Sequence, residues 1–195
     1  MKEISTQLIK ELRQKTGVGI MEAKHALIEN RGDLKEAVVY LKERGKKIIE
    51  AKADRATNQG VVDAYIHSNK KVTGVVVLLC ETDFVARTED FQNLAHELAM
   101  QVAATKPKYL SPEDVSAEIL EKEKDEYRAQ VKGKKPKEII EKIVRGKLEK
   151  YFEENCLLKQ RYIKDDTLTV DDLIKQKVSS LGENIRIKSF VYLEI

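Results

Sequence analysis

The stretch Cys80-Glu81-Thr82-Asp83-Phe84-Val85-Ala86 sets a carboxylate, Asp83, beside an aromatic ring, Phe84. It follows an apolar run, Val72 to Leu79, that reads as a buried strand, and it precedes a helical pattern opening at Thr88. The pair therefore falls on a tight strand-to-helix turn. Loops run over the surface and concentrate function, so a large ring there has two readings. In one, Phe84 folds back as a lid on the core and Asp83 braces the turn through its side chain. In the other, both residues face a partner.

Other residue patterns offer little covalent chemistry. The chain has no Gly-x-x-x-x-Gly-Lys-Ser/Thr loop to cradle a nucleoside triphosphate. Gly17-Val18-Gly19 follows a helix rather than a strand and lacks the third glycine of a dinucleotide fingerprint. His25, His67 and His96 share no ligand spacing. The many carboxylates fall on charged helical stretches and read as solvated faces. Cys80 and Cys156 form neither a disulfide framework nor a metal cluster, and Cys80 at the end of a strand reads as a small buried hydrophobe. The expectation is no enzyme, no catalytic residue, no metal ligand and no cofactor.

Two surface features carry a binding alternative. Lys132, Lys134, Lys135 and Lys137 form the tight basic cluster of the chain, which reads either as a solvated hairpin tip or as a contact for RNA phosphates. Gly17-Val18-Gly19-Ile20-Met21 is a helix-to-helix turn with apolar side chains. Ile20 and Met21 belong there to the core or to a docking surface, for which the adaptable methionine is well suited.

Bulk composition narrows the classes. The 195 residues suggest one or two domains. Charged residues make up 35% of the chain, well above the ordinary level of roughly 25%. Both signs are abundant, 36 basic against 33 acidic, so a strongly basic nucleic-acid surface is not indicated. Tryptophan is absent and aromatics are 6%, too few for an interleaved base-stacking surface. No apolar run approaches the length of a membrane span. The start, Met1-Lys2-Glu3-Ile4-Ser5, enters a helix with no signal core and no Arg/Ser-rich transit segment, so a cytoplasmic protein or else a processed organellar form is expected.

The elements that must hold these residues are readable from period and caps. Three short helices are expected over residues 1–45. The first carries Leu8, Ile9 and Leu12 and stops at Thr16-Gly17; the second carries Ile20, Ala23 and Leu27. The third starts in Asp33-Leu34-Lys35-Glu36, a capping-box pattern, and is closed by Gly45. Such a unit buries little area and suits an adaptor. Residues 46–59 read as a linker helix and residues 60–195 as a second domain.

In that domain Val61–His67 and Val72–Cys80 read as a hairpin turned at Ser68-Asn69-Lys70-Lys71. Thr88 caps a helix with Phe91, Leu94, Ala95, Leu98 and Val102, ended by Lys106-Pro107. Two charged helices over about 116–155, joined near Gly133-Lys134-Lys135-Pro136, read as a projecting helical hairpin. Thr169 caps a last helix ending before Gly182. The C-terminal strand alternates, with Ile185, Ile187, Ser189, Val191 and Leu193 as its buried face and Phe190 and Tyr192 opposite. The fold class expected is α+β: a three-helix bundle, then a three-stranded antiparallel sheet with helices on one side. A sheet covered on one side leaves an apolar face or free edge, and a homodimer is expected to cover it.

Several stretches together resemble one family. Leu12 to Leu27, with Arg13-Gln14-Lys15-Thr16-Gly17-Val18-Gly19-Ile20-Met21 within it, closely resembles the N-terminal signature of elongation factor Ts. Glu81-Thr82-Asp83-Phe84-Val85-Ala86 resembles the second signature of that family. Lys106-Pro107-Lys108-Tyr109 and Cys156 to Val170 look similar too, so the resemblance covers essentially the whole chain.

The resemblance implies a guanine nucleotide exchange factor for elongation factor Tu in translation elongation. It implies that the first bundle is of ubiquitin-associated type and that the rest is a dimerisation domain with a helical hairpin. It further implies that Thr82, Asp83, Phe84 and Val85 intrude on the GTPase domain of the partner, with Asp83 and Phe84 disturbing its Mg²⁺ site. Arg13, Ile20 and Met21 would dock on a helix of that domain. Longer members carry a doubled core; this chain has a single copy, and a second chain is expected to supply the other half. The alternative function, an RNA- or ribosome-associated protein using the Lys132–Lys137 tip, differs in its salt dependence, because phosphate-driven binding weakens steeply with salt.

Overall fold

The computed structural model describes residues 4–131 and 136–195. Three of the lysines of the expected tip, Lys132, Lys134 and Lys135, lie outside the described residues, and Lys137 opens a helix. The chain divides into two compact units that it enters repeatedly. One takes in the chain up to Gly60 with Leu79–Phe91 and Leu173–Arg186. The other is Val61–Leu78, Gln92–Asp172 and Ile187–Ile195.

The first unit opens on helices α1 (Thr6–Thr16), α2 (Ile20–Glu29) and α3 (Leu34–Lys52). Each boundary has a local cause. The Ser5 hydroxyl accepts the Leu8 N–H at the start of α1. Gly17, at φ 71°, takes the left-handed conformation that ends it and donates its N–H to the Arg13 carbonyl. Asp33 accepts from the N–H groups of Lys35 and Glu36 at 2.8 and 3.0 Å, capping α3. Leu12, Val18, Ala23, Ala26, Leu27, Ala37 and Leu41 form the buried centre of this bundle.

Gly45 does not close the third helix, contrary to expectation. Helix α3 runs through it to Lys52. A Cβ at Gly45 would lie 3.5 Å from the Ser179 hydroxyl of helix α8 (Val170–Leu181). A helix interior tolerates a glycine at a cost of roughly 1 kcal/mol against alanine, too little by itself to end it.

The second unit is built on a sheet of order β1-β2-β5, with β1 at Gln59–Ile66, β2 at Val72–Cys80 and β5 at Arg186–Glu194. The β1–β2 turn closes with Lys70 at φ 60° and the Lys71 N–H on the Asn69 side chain. The Ile195 N–H donates to the Lys71 carbonyl, so β5 runs antiparallel to β2. Helix α5 (Glu89–Thr105) opens at Thr88, whose hydroxyl accepts the Phe91 N–H. It lies on one face of the sheet. A Cβ at Gly74 would collide with the Ala99 carbonyl and crowd the Ala103 amide, so strand and helix backbones meet there.

The same helix fixes which strand residues point inward. Asp63 and Tyr65 of β1 meet His96 of α5, and Tyr192 and Glu194 of β5 meet Lys106 just beyond it. Val62, Ile66, Val191 and Leu193, of opposite parity, point away and stay exposed. The aliphatic set of the last strand is therefore buried only at its beginning, at Ile185 and Ile187. In the second half of the strand Tyr192 lies on the helix side, and Val191 and Leu193 point outward.

Helices α6 (Ala117–Gln130) and α7 (Lys137–Asn155) pair as the expected hairpin, tied by Arg128 to Glu141 at 3.1 Å. Buried Gln101 of α5 accepts the Ile163 N–H and donates to the Arg161 carbonyl. It thereby holds the small hairpin of β3 (Arg161–Tyr162) and β4 (Asp165–Thr169). Thr169 and Asp172 cap each other at the start of α8. The architecture is α+β: a helical bundle, an antiparallel three-stranded sheet with helices on one side, and a helical hairpin.

Candidate functional site

Strand β2 ends at Cys80 and the chain turns at once into α4 (Asp83–Ala86), a single helical turn. Thr82 is its N-cap, extended at φ −123° and ψ 156°. Its hydroxyl accepts the Val85 N–H at 3.4 Å. Ala86 is buried and anchors the turn from below. Phe84 goes the other way and is 81% exposed. A ring left that bare contributes nothing to the core, so the lid reading fails. Asp83 does not brace the turn either: its carboxylate pairs with Arg87 one turn on, at 2.9 Å.

The bracing comes from a part of the chain that periodicity does not connect to this loop. Gly182, at φ 76°, ends helix α8, and Glu183 and Asn184 follow it. The Glu183 carboxylate accepts the N–H groups of Glu81 and Thr82 at 3.1 and 3.0 Å and the Thr82 hydroxyl at 2.6 Å. The Glu81 carboxylate in turn accepts the Asn184 N–H at 2.7 Å and lies 3.4 Å from Arg55. The Asn184 amide donates to the carbonyls of Ala53 and Arg55. All these residues belong to the first unit.

Electrostatics follow from these partners. The Asn184 N–H, with Arg55 helping, holds the Glu81 carboxyl below its usual range. Burial, reinforced by the Glu183 charge, pushes the Cys80 thiol up. Its Sγ donates to the Thr82 carbonyl, so it is a neutral structural group rather than a nucleophile.

The second set of expected residues sits at the α1–α2 turn of the same unit. Val18 tucks into the bundle core, while Ile20 and Met21 are 57% and 64% exposed. The Arg13 side chain reaches back to the Val18 carbonyl at 3.3 Å and steadies the loop. The core reading of Ile20 and Met21 thus gives way to a surface one. His67 and His96 join neither set, since they lie in the other unit beside Tyr65, and His25 lies on helix α2 one turn beyond Met21. Among the described residues no group of three or more His, Cys, Asp or Glu could hold a metal ion. No described helix is long and apolar enough to cross a membrane.

Glu183 and Asn184 were not singled out by sequence. Their one local signal is a polar pair directly after a helix-ending glycine. What makes them part of the site is the sheet, which brings the start of β5 alongside the end of β2.

What such a site can do is bind. An exposed ring on a polar-clasped turn and an exposed aliphatic pair on a second turn offer apolar surface of the kind that partners cover. A family model described as elongation factor TS matches residues 1–195. The elongation factor Ts of Thermotoga petrophila is 53% identical over 99% of this chain and 96% of its own length. That of Thermotoga maritima is 52% identical with the same coverage. That of Caldanaerobacter subterraneus is 50% identical over 98% of this chain and 96% of its own. A model match along the full chain, with relatives that close and of matching length, carries one conclusion: the chain belongs to the elongation factor Ts family.

Proposed function

We propose that this protein binds elongation factor Tu in the cytoplasm and promotes release of its GDP during translation elongation. The observation that carries the reading is Phe84, an aromatic ring 81% exposed on a turn held from behind. Large rings are the anchors that dominate interfaces once a partner covers them.

The mechanism is one of coupled binding. In GTPases the phosphate loop and Mg²⁺ hold the nucleotide, the metal neutralising phosphate charge. A protein that favours the nucleotide-free state weakens nucleotide binding by the factor by which nucleotide weakens its own, because coupling is reciprocal. Thr82 and Val85 frame the turn, Phe84 enters the partner as an apolar wedge, and Asp83 brings negative charge toward the metal site. Arg13, Ile20 and Met21 dock the bundle and raise the local concentration of the wedge. No bond in the protein is made or broken. The exposed outer face of the sheet, with Val62, Ile66, Val191 and Leu193, supports a homodimer as the working form.

Release of labelled GDP from elongation factor Tu, with and without substoichiometric protein, tests the reading. Acceleration with turnover is expected, and it should persist as salt is raised from 50 to about 200 mM, a range over which phosphate-driven complexes collapse. Unchanged release overturns the reading, and RNA binding with a steep salt slope would replace it.

A further inference from the structure

The exchange turn has a structural weakness that the sequence makes plain. Its key ring is out in solvent and contributes no packing, and α4 is one turn long. A helix that short has no stability of its own. Something else must fix the direction in which Asp83 and Phe84 project.

Resting on the exchange reading above, we propose that Glu183 is the positioning residue of the exchange turn, acting through Thr82. The geometry defines a relay. One carboxylate oxygen, Oε2, gathers two successive N–H groups, those of Glu81 and Thr82. Both lie at the strand exit, past the last residue of β2. The other oxygen, Oε1, takes the Thr82 hydroxyl proton at 2.6 Å. With its proton committed there, Thr82 Oγ1 presents a lone pair to the Val85 N–H and caps α4. The orientation of α4, and with it of Phe84, is therefore set by an acceptor on a distant loop. Bonds to an ionised acceptor are about twice as strong as neutral ones, which suits a clasp with little packing behind it.

The clasp is also reciprocal. While Glu183 holds the backbone at 81 and 82, the Glu81 carboxylate holds the backbone N–H of Asn184. Asn184 then ties the pair of loops to the carbonyls of Ala53 and Arg55 just beyond α3. Side chain on each loop grips main chain on the other. Such an arrangement fixes two loops against each other more tightly than one bond would, because neither can shift without breaking both. Its two distant members, Glu183 and Asn184, are not among the residues that the exchange reading sets against the partner, and the docking residues Ile20 and Met21 lie outside it.

The test uses the full-length chain, which contains no tryptophan. Phe84→Trp introduces one fluorescent reporter on the turn. Its anisotropy decay reports local motion on the nanosecond scale. Glu183→Ala in that background is expected to add a fast, large-amplitude component, and Glu183→Gln, which keeps an acceptor for the two N–H groups, is expected to remove part of it. In GDP release from elongation factor Tu, Glu183→Ala should lower the maximal rate about tenfold, the effect of losing bonds to a charged acceptor. The concentration for half-maximal effect should change by less than about twofold, since docking is intact.

Combining Glu183→Ala with Phe84→Ala separates positioning from general weakening. If Glu183 acts through the turn, its removal adds much less than its full loss once the ring is gone, the remainder being the share carried by Asp83. Thr82→Val, close in shape but without the hydroxyl, serves as the second variant should Glu183→Ala fail to fold, and it should reproduce the same rate loss and reporter mobility. Unaltered anisotropy and unaltered maximal rate overturn the proposal, as does a full additional loss in the Phe84→Ala background. Wild-type protein that leaves GDP release unchanged overturns the exchange reading itself; the anisotropy measurement then still decides whether Glu183 orders the turn.

Discussion

The Asp83 carboxylate and the Arg87 guanidinium sit 2.9 Å apart across one helical turn. Both are well exposed, so the pair is weak and easily exchanged for another. Asp83 thus carries its charge on the surface with a releasable counter-ion beside it. In the exchange reading proposed above, Asp83 would part from Arg87 before its charge reaches the metal site of the partner.

That relationship yields a test specific to the metal. Asp83→Ala should slow GDP release when Mg²⁺ is present. After chelation the defect should shrink, because the group it acts on is already gone. Arg87→Ala should not reproduce the defect. Stopped-flow GDP release with and without chelator measures both, and an Asp83→Ala defect of equal size in both conditions would rule out a role at the metal.

Phe84→Ala should reduce affinity for the nucleotide-free partner by about 2 kcal/mol, roughly thirtyfold, as loss of an interface anchor does. Its stability should stay within about 0.5 kcal/mol of wild type, because an exposed side chain has no core contacts to lose. Titration calorimetry and thermal melts check the two halves. A wild-type exchange rate in this variant would falsify the wedge.

The pair Ile20→Ser with Met21→Ser should raise the half-saturating concentration about tenfold or more while leaving the maximal exchange rate near wild type. Substitution in the full chain is preferable to deleting the bundle, since Ala53 and Arg55 hold Asn184 and a deletion would disturb the exchange turn as well. Equal affinity in the double variant would end the docking role.

Sedimentation equilibrium at micromolar concentration should give twice the chain mass of 22.3 kDa. Val191→Lys together with Leu193→Lys, on the outer face of the sheet, should return the monomer. A wild-type monomer at that concentration would remove the dimer from the account.

Gly74→Ala should destabilise the second unit by about 1–3 kcal/mol, the usual effect of overpacking. The added methyl group meets the backbone of Ala99 and Ala103, which cannot swing away like a side chain. Urea unfolding of the two chains measures the difference, and an unchanged midpoint would show that the helix can move off the strand.

Much of the fold was legible because its signals are local. Thr88 capping α5, Thr169 capping α8 and the limits of α7 at Lys137 and Asn155 were all readable from caps and period. Gly45 misled because the rule that glycine ends a helix is statistical, and helix α3 continues through it to Lys52. The last strand misled in its outer half: the burial of Ile185 and Ile187 does not continue to Val191 and Leu193, and Tyr192 meets Lys106 instead. At the site, the two signatures marked the turns, but exposure of Phe84, Ile20 and Met21 could not be read from period alone. Glu183 stayed invisible because its role depends on a contact between segments that no local pattern joins.

That contact spans 101 residues. Chains fold from the N-terminus as they are made, and pairings across long separations form late because loop closure must precede them. A growing chain therefore exposes the Asp83–Phe84 turn on the ribosome well before the carboxylate that steadies it has been synthesised. The order of synthesis withholds the bonds that brace this turn until the chain has passed Glu183.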